Sequence, residues 1–363
     1  LSSIGLVVIV STALVAGCTP AGSPAPTATA QSPTAAPSGG GVATPAGSVA
    51  PADLVIPKPE GDLAFKFGFV ELDPTELPTR ITIERLNADG WNIEMTELAA
   101  ADLSAQALDQ GTIQMNSSSI VDPLRAVQAG ADISWAFESH QGEYVFITRA
   151  EFADCQALDG KTFGMHGETS SSSLAGRTWL EDECGVTPEI LIIPGGDNRV
   201  VALINGQLDS TVTQLFDWLT LKEQAPNDFH VLDTGDLFTA ISGTAFYVNS
   251  EFATQREAVA VAFIAEQLKT YRMIREDPSI LADKIRSDLP EYPAELADIT
   301  VTEYLDTIGA FPANGGDTDM VENAIAYFTE IEELQPGLTV DQVANRTLLD
   351  KALQIIGTVT GER

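Results

Sequence analysis

Two clusters of hydroxyls carry the clearest chemical potential in this chain. One is Ser117, Ser118 and Ser119 in "QMNSSSI"; the other is Thr169 to Ser173 in "HGETSSSSLAGRTW". Each sits between a strand-like run and a helix-like run. A helix N-terminus offers unpaired backbone N–H groups and partial positive charge, and serine hydroxyls add donors. Two such ends converging would suit a carboxylate, sulfonate or similar oxyanion. The ordinary alternative is N-capping, which would occupy one serine per helix. His140 and His166 are further candidate donors, and Gln214 and Asp217 follow a strand-like run. Phe69, Phe216 and Trp218 could stack on a flat ligand or could be core. Arg199 falls in the first turn of a helix, where a cation opposes the dipole, so an anion or a salt bridge is expected beside it.

Other chemistry is poorly supported. The chain has three cysteines and three histidines, none at zinc-finger spacing, so no metal site is expected. There is no G-x-S-x-G, HExxH or P-loop pattern, so no catalytic residue and no cofactor is assigned. Cys155 and Cys184 flank a strand–helix unit at the same end, so either a disulfide or two buried thiols fits.

The elements that must position these residues can be read from periodicity. Strands are expected at 63–70, 91–98 and in "TIQM", with the serines after it as loop, then in "DISWAFES" and "EYVFITRA". Helices are expected over 77–87, over 102–111 with Asp102 as N-cap, and in "VDPLRAVQAG". A second section repeats the logic: strand "KTFGMHG", helix 172–184 stopped by Gly185, strand "EILIIPG", and a helix capped by Asp197. Strand "LDSTVTQ", helix "FDWLTLKEQ" and strand "FHVLDTG" complete it. Strands alternating with helices of about ten residues imply parallel α/β sheets. From Ser250 onward the pattern is helical. Ligands in such sheets lie beyond the carboxyl ends of strands, which is where Phe69, Ser117–Ser119, His166 and Gln214 fall.

Composition bounds the rest. The 363 residues carry a formal net charge of −33, which repels phosphate backbones and excludes nucleic acid as a partner. Residues 1–18 read as an export signal, with an apolar run too short for a bilayer span. Val15-Ala16-Gly17-Cys18 resembles a bacterial lipobox, which implies a lipid on Cys18 and an anchor at the extracytoplasmic face of the cell membrane. Residues 19–61 are rich in Pro, Ala, Ser and Thr, with nine prolines, and read as a disordered tether.

Three segments together resemble the solute-binding proteins of ABC importers, in the branch of nitrate, sulfonate, taurine and thiamine-pyrimidine receptors. They are "ALDGKTFGMHGETSSSSLAGRTWLEDECGV", "PGGDNRVVALINGQLDSTVT" and "MVENAIAYFTEIEELQPGLTVDQVANRTLLDKAL". The resemblance implies a two-lobed periplasmic-binding type II fold with a helical C-terminal section. One lobe would hold 62–147 plus 240–363 and the other 148–239, with hinge crossings near Ile147 and near Thr239 to Gly243. It implies a monomer that closes on a small molecule and presents it to permease subunits. It also places the strand before Asp217 against the ligand, so Asp217 could pair with an amine or could serve the start of its helix. A sulfonate-, nitrate- or taurine-like oxyanion is the favoured ligand. A neutral or aromatic heterocycle, such as a pyrimidine precursor or a flavin, is the alternative. A pyrimidine-synthase-like enzyme shares the fold, but its cysteine-rich motif is missing here, so no catalysis is expected.

Overall fold

The computed structural model describes residues 50–238 and 243–362. Cys18 with its signal segment, most of the tether, and Thr239 to Ser242 of the second crossing lie outside the described residues.

Two five-stranded sheets organise the chain. The first contains β1 (Ala64–Phe69), β2 (Asn92–Glu97), β3 (Met115–Ser119), β4 (Ile133–Gln141) and β10 (Gly243–Asn249), in the order β2-β1-β3-β10-β4. The second contains β5 (Tyr144–Arg149), β6 (Thr162–Met165), β7 (Glu189–Ile192), β8 (Ser210–Gln214) and β9 (Phe229–Leu232), in the order β7-β6-β8-β5-β9. The chain therefore passes from the first sheet to the second at residues 142–143, ahead of Ile147, which lies within β5.

Neither sheet is wholly parallel, contrary to the expectation from alternating elements. β1 pairs in parallel with β2 and β3, and β6 with β7 and β8. β10 runs antiparallel between β3 and β4, and β5 runs antiparallel between β8 and β9. The reason is connectivity: β5 enters the second sheet from β4 of the first, and β10 enters the first sheet from the second, so neither arrives by a helical crossover within its own sheet and no parallel placement is imposed.

Helices cover both sheets: α1 (Leu77–Ala88), α2 (Ala101–Asp109) and α3 (Val121–Gln128) in the first lobe, α4 (Ser171–Thr178), α5 (Gly196–Ile204) and α6 (Leu215–Gln224) in the second. The C-terminal section adds α7 (Ser250–Gln255), α8 (Glu257–Glu276), α9 (Ser279–Asp288), α10 (Ala297–Thr302), α11 (Asp319–Glu330), α12 (Val340–Val343) and α13 (Thr347–Ile356), which build onto the first lobe. Alternation explains the docking of α8. Phe65 and Phe67 point to the core while Lys66 is exposed, and Phe263 of α8 meets those rings at 5.4 and 5.7 Å.

Several local expectations change. Ser117, Ser118 and Ser119 belong to β3, paired with Phe246, Ala245 and Thr244 of β10, and are not loop. Neither Asp102 nor Asp197 caps its helix: Ala100 and Gly195 hold those positions, and each aspartate sits in the first turn, where it complements the dipole. The tether ends earlier than residue 61. Leu54 and Ile56 pack on the first core, and Lys269 Nζ donates to the Leu54 carbonyl at 2.6 Å. Apolar side chains inside a Pro-rich stretch supply that contact.

The second lobe is closed by a Cys155–Cys184 disulfide with a Cα–Cα distance of 5.9 Å. Helix α4 lies so close to its sheet that a Cβ on Gly176 would come within 2.5 Å of Val212 and 2.9 Å of Phe163.

Candidate functional site

A cavity of about 270 Å³ lies between the lobes, at the carboxyl ends of β1, β3, β6 and β8. Hydrogen bonds cross it. Arg125 Nη1 of α3 donates to the Thr169 carbonyl at 3.0 Å, and Val121 N–H donates to Ser171 Oγ at 3.4 Å. Gln214 Nε2 donates to Asp73 Oδ2 at 3.0 Å and to Glu143 Oε1 at 3.2 Å. The lobes are thus in contact, and the starts of α3 and α4 meet each other across the cleft.

The wall from the second lobe is built by the serine segment and the start of α5. Ser170 holds the N-cap position of α4 without a side-chain capping bond, and its Oγ donates weakly to the Gly167 carbonyl at 3.4 Å. Ser173 Oγ accepts from His166 N–H at 2.9 Å and fastens the loop. Ser172 lines the cavity. The serines therefore divide their work among loop closure, contact with the other lobe, and the cavity surface.

Arg199 projects from α5 to the cavity and is almost fully buried. Its Nη1 donates to the carbonyls of Ile193 at 3.1 Å and Gly195 at 2.9 Å. Burial works against its charge, and Asp217 and Glu71 support it. Burial and the neighbouring Arg199 push His166 below the usual histidine range, so His166 is neutral at pH 7. Asp217 accepts from Thr213 Oγ1 and is packed against Gly196, where a Cβ would lie 2.0 Å from Asp217 Oδ2. Only glycine admits this approach of α5 to α6. Burial raises the Asp217 carboxyl to about 7 despite the Thr213 bond and Arg199.

The wall from the first lobe is acidic. The segment after β1 brings Glu71, Asp73 and Glu76 to the cavity, and Asp122 of α3 joins them. Asp73 Oδ1 closes the turn into α1, accepting from Thr75 N–H at 2.7 Å, Thr75 Oγ1 at 2.6 Å and Glu76 N–H at 3.2 Å. Burial, then Asp73, push both Glu71 and Glu76 up to about 8. Burial and Glu143 raise Asp73 as well. Burial lifts Asp122 to about 6, against the pull of Arg125 at 3.3 Å.

Of the residues singled out from sequence, Ser117, Ser118, Ser119, His166, Thr169, Ser170, Ser171 and Gln214 line this cavity. Phe69, His140 and Asp217 do not. Phe69 is core. His140 lies buried in β4, its Nε2 at 2.8 Å from Glu143 Oε1, and that carboxylate with Asp73 raises its pKa although burial opposes protonation. Phe216 is also core, at 6.2 Å edge-on to Tyr292, and Trp218 packs against the second lobe's interior. The acidic segment was missed, although the strand-end rule pointed directly past Val70 to Glu71 and Asp73. Among the described residues no group of histidines, cysteines and carboxylates is arranged to hold a metal.

A family model described as NMT1/THI5 like matches residues 87–280. None of the curated proteins matches the sequence. Among solved structures, the periplasmic aliphatic sulphonate binding protein SsuA of Escherichia coli is 16% identical with a TM-score of 0.61, over 80% of this chain and 100% of that one. The periplasmic nitrate-binding protein NrtA of Synechocystis PCC 6803 is 14% identical with a TM-score of 0.63, over 82% and 89%. The ligand binding component of an ABC-type import system from Staphylococcus aureus, with zinc bound, is 14% identical with a TM-score of 0.63, over 80% and 99%. These likenesses show the fold: two α/β lobes of the periplasmic-binding kind with a helical C-terminal section.

Proposed function

The chain belongs to the NMT1/THI5-like family, and from that premise we propose that it is an extracytoplasmic solute-binding protein serving an ABC importer. The observation that carries this reading is the cavity itself. It is walled by both lobes at strand ends and spanned by hydrogen bonds from Arg125, Val121 and Gln214. Such a cleft holds a solute when closed and releases it when the lobes part. The structural neighbours' names, which include a sulphonate and a nitrate binding protein, support the class of function. Delivery to membrane permease subunits and anchoring through a lipid on Cys18 belong to the same proposal. So does binding without chemistry, and so does monomeric action. Among the described residues no helix is long and apolar enough to cross a membrane.

Ser118, Ser119, Ser172 and Gln214 are proposed as ligand contacts. An oxyanion here would sit beside Glu71, Asp73 and Glu76, and among the described lining residues Arg199 alone carries positive charge. The test is a solute screen by calorimetry with Ser119→Phe as control. That substitution fills the cavity, so it abolishes binding of any hit while leaving the melting temperature of the ligand-free protein within a few degrees. Binding that survives Ser119→Phe would sink the proposal. Mass spectrometry of the recovered solute should find it unchanged.

A further inference from the structure

The charge balance of the cavity narrows the class of solute. Each positive group near it already has a carboxylate. Arg199 is supported by Asp217 behind the wall, Arg125 pairs with Asp122 at 3.3 Å and with Glu333, and His140 pairs with Glu143 at 2.8 Å. Glu71 shares Arg199 with Asp217, and Asp73 and Glu76 share His140 with Glu143, so the acids outnumber the cations, and among the described residues none of the three makes a direct ion pair. All three come from one six-residue segment and face one cavity. A second observation is independent of the acids. Ser118 lines the cavity, is 98% buried at a relative exposure of 2%, and its Oγ has no hydrogen-bond partner. Glu76, at 7% exposure, hydrogen-bonds Ser117 and Thr79 through its carboxyl but has an Oε1 without a partner. Buried polar atoms are ordinarily satisfied, so both await a group that the solute brings.

We propose that the cavity takes a small organic cation, with a protonated amine or amidinium held by Glu71, Asp73 and Glu76 and a donor to Ser118. The proposal rests on the solute-binding reading above. An ammonium or amidinium supplies several N–H donors, and its charge draws the protons off these buried carboxyls and makes them ionised acceptors. A sulfonate or nitrate supplies neither. For such an anion the carboxyls would keep their protons and act as donors, so the two classes of solute call for opposite protonation states of these acids.

Glutamine separates these two cases, because it keeps a donor and removes the charge. The full chain is titrated calorimetrically with putrescine and agmatine, with methanesulfonate and nitrate, with an uncharged aminopyrimidine, and with zinc and calcium chlorides. The expected result is binding of putrescine or agmatine, with Glu76→Gln weakening it about tenfold or more. Ser118→Ala should weaken it less. Glu76→Gln folds as well as the parent by circular dichroism, or Glu71→Gln takes its place. If methanesulfonate, nitrate or the pyrimidine binds and the organic cations do not, the cation proposal is overturned and the receptor reading stands. Glu76→Gln leaving cation affinity unchanged, or a metal ion binding more tightly than either amine, overturns it too. Silence in every arm overturns the receptor reading and this proposal with it.

Discussion

At the scale of single residues, burial holds the carboxyls of the site protonated well above their ordinary range. The unfolded chain releases the protons of Glu71 and Glu76 near pH 4.5, whereas the folded chain holds them to about 8. Between those values the folded state binds more protons than the unfolded one, so raising the pH removes stability. Each group acts at on the order of 1 kcal/mol per pH unit across that window, less for Glu71, which water reaches more easily. Ligand-free protein should therefore melt lower at pH 8 than at pH 5. Glu76→Gln should flatten that slope and raise the melting temperature at pH 8, as read by calorimetry at each pH. A slope unchanged by the substitution would mean that Glu76 is not protonated in the folded chain. These acids could not be picked out beforehand. The chain has 52 acidic residues, and nothing local separates a buried glutamate from those on a solvated face. The serines were legible because four in a row before a helix exceed what a cap requires. Their individual duties depend on Val121, Arg125 and His166, which only the fold brings near.

At the scale of elements, the second lobe offers two direct tests. Its disulfide joins residues 29 apart, and closing a loop of that length restricts the unfolded chain by about 3.5 kcal/mol. Cys155→Ser, or reduction, should lower stability by roughly that amount. Denaturant titration reads it, and a loss below about 0.5 kcal/mol would contradict the constraint. Gly176→Val would drive methyl groups into Val212 and Phe163, destabilising by about 1–3 kcal/mol or more. An unaltered denaturation midpoint would show that α4 can lift from the sheet. Most strands were readable from alternation, but β10 was not. "GTAFYVN" is buried on both faces, with Phe246 stacked on Phe137 at 4.1 Å, so it has no polar side to alternate with. The mixed sheets escaped notice for a related reason. Local sequence gives strand position, while direction depends on which connection carries a crossover.

At the scale of the whole molecule, one side chain makes two of the hydrogen bonds that join the lobes. Gln214 reaches from β8 to Asp73 of the first lobe and to Glu143 at the crossing. Gln214→Ala removes both bonds, each worth about 1 kcal/mol or somewhat more because the acceptors are carboxyls. In small-angle scattering the ligand-free variant should have a larger radius of gyration than the parent, and added solute should restore the compact form. Equal radii would show that Arg125 and Ser171 suffice to hold the cleft shut. The two-lobed plan itself was expected from the order of motifs. The crossing was expected too late in the chain, because β5 reads as an ordinary strand and gives no sign that it joins a new sheet.

The position of β10 has a consequence for synthesis on the ribosome. This strand fills the gap between β3 and β4, yet the entire second lobe is made before it. Roughly a hundred residues separate β4 from β10, which is about 5–20 s of elongation. During that interval β3 and β4 lack the strand between them, and their unpaired edges are exposed to other chains. The second lobe, continuous in sequence, can finish folding while the first waits. A released chain truncated within the β9–β10 connection should therefore yield a protease-resistant second lobe beside a first lobe that is still open to cleavage.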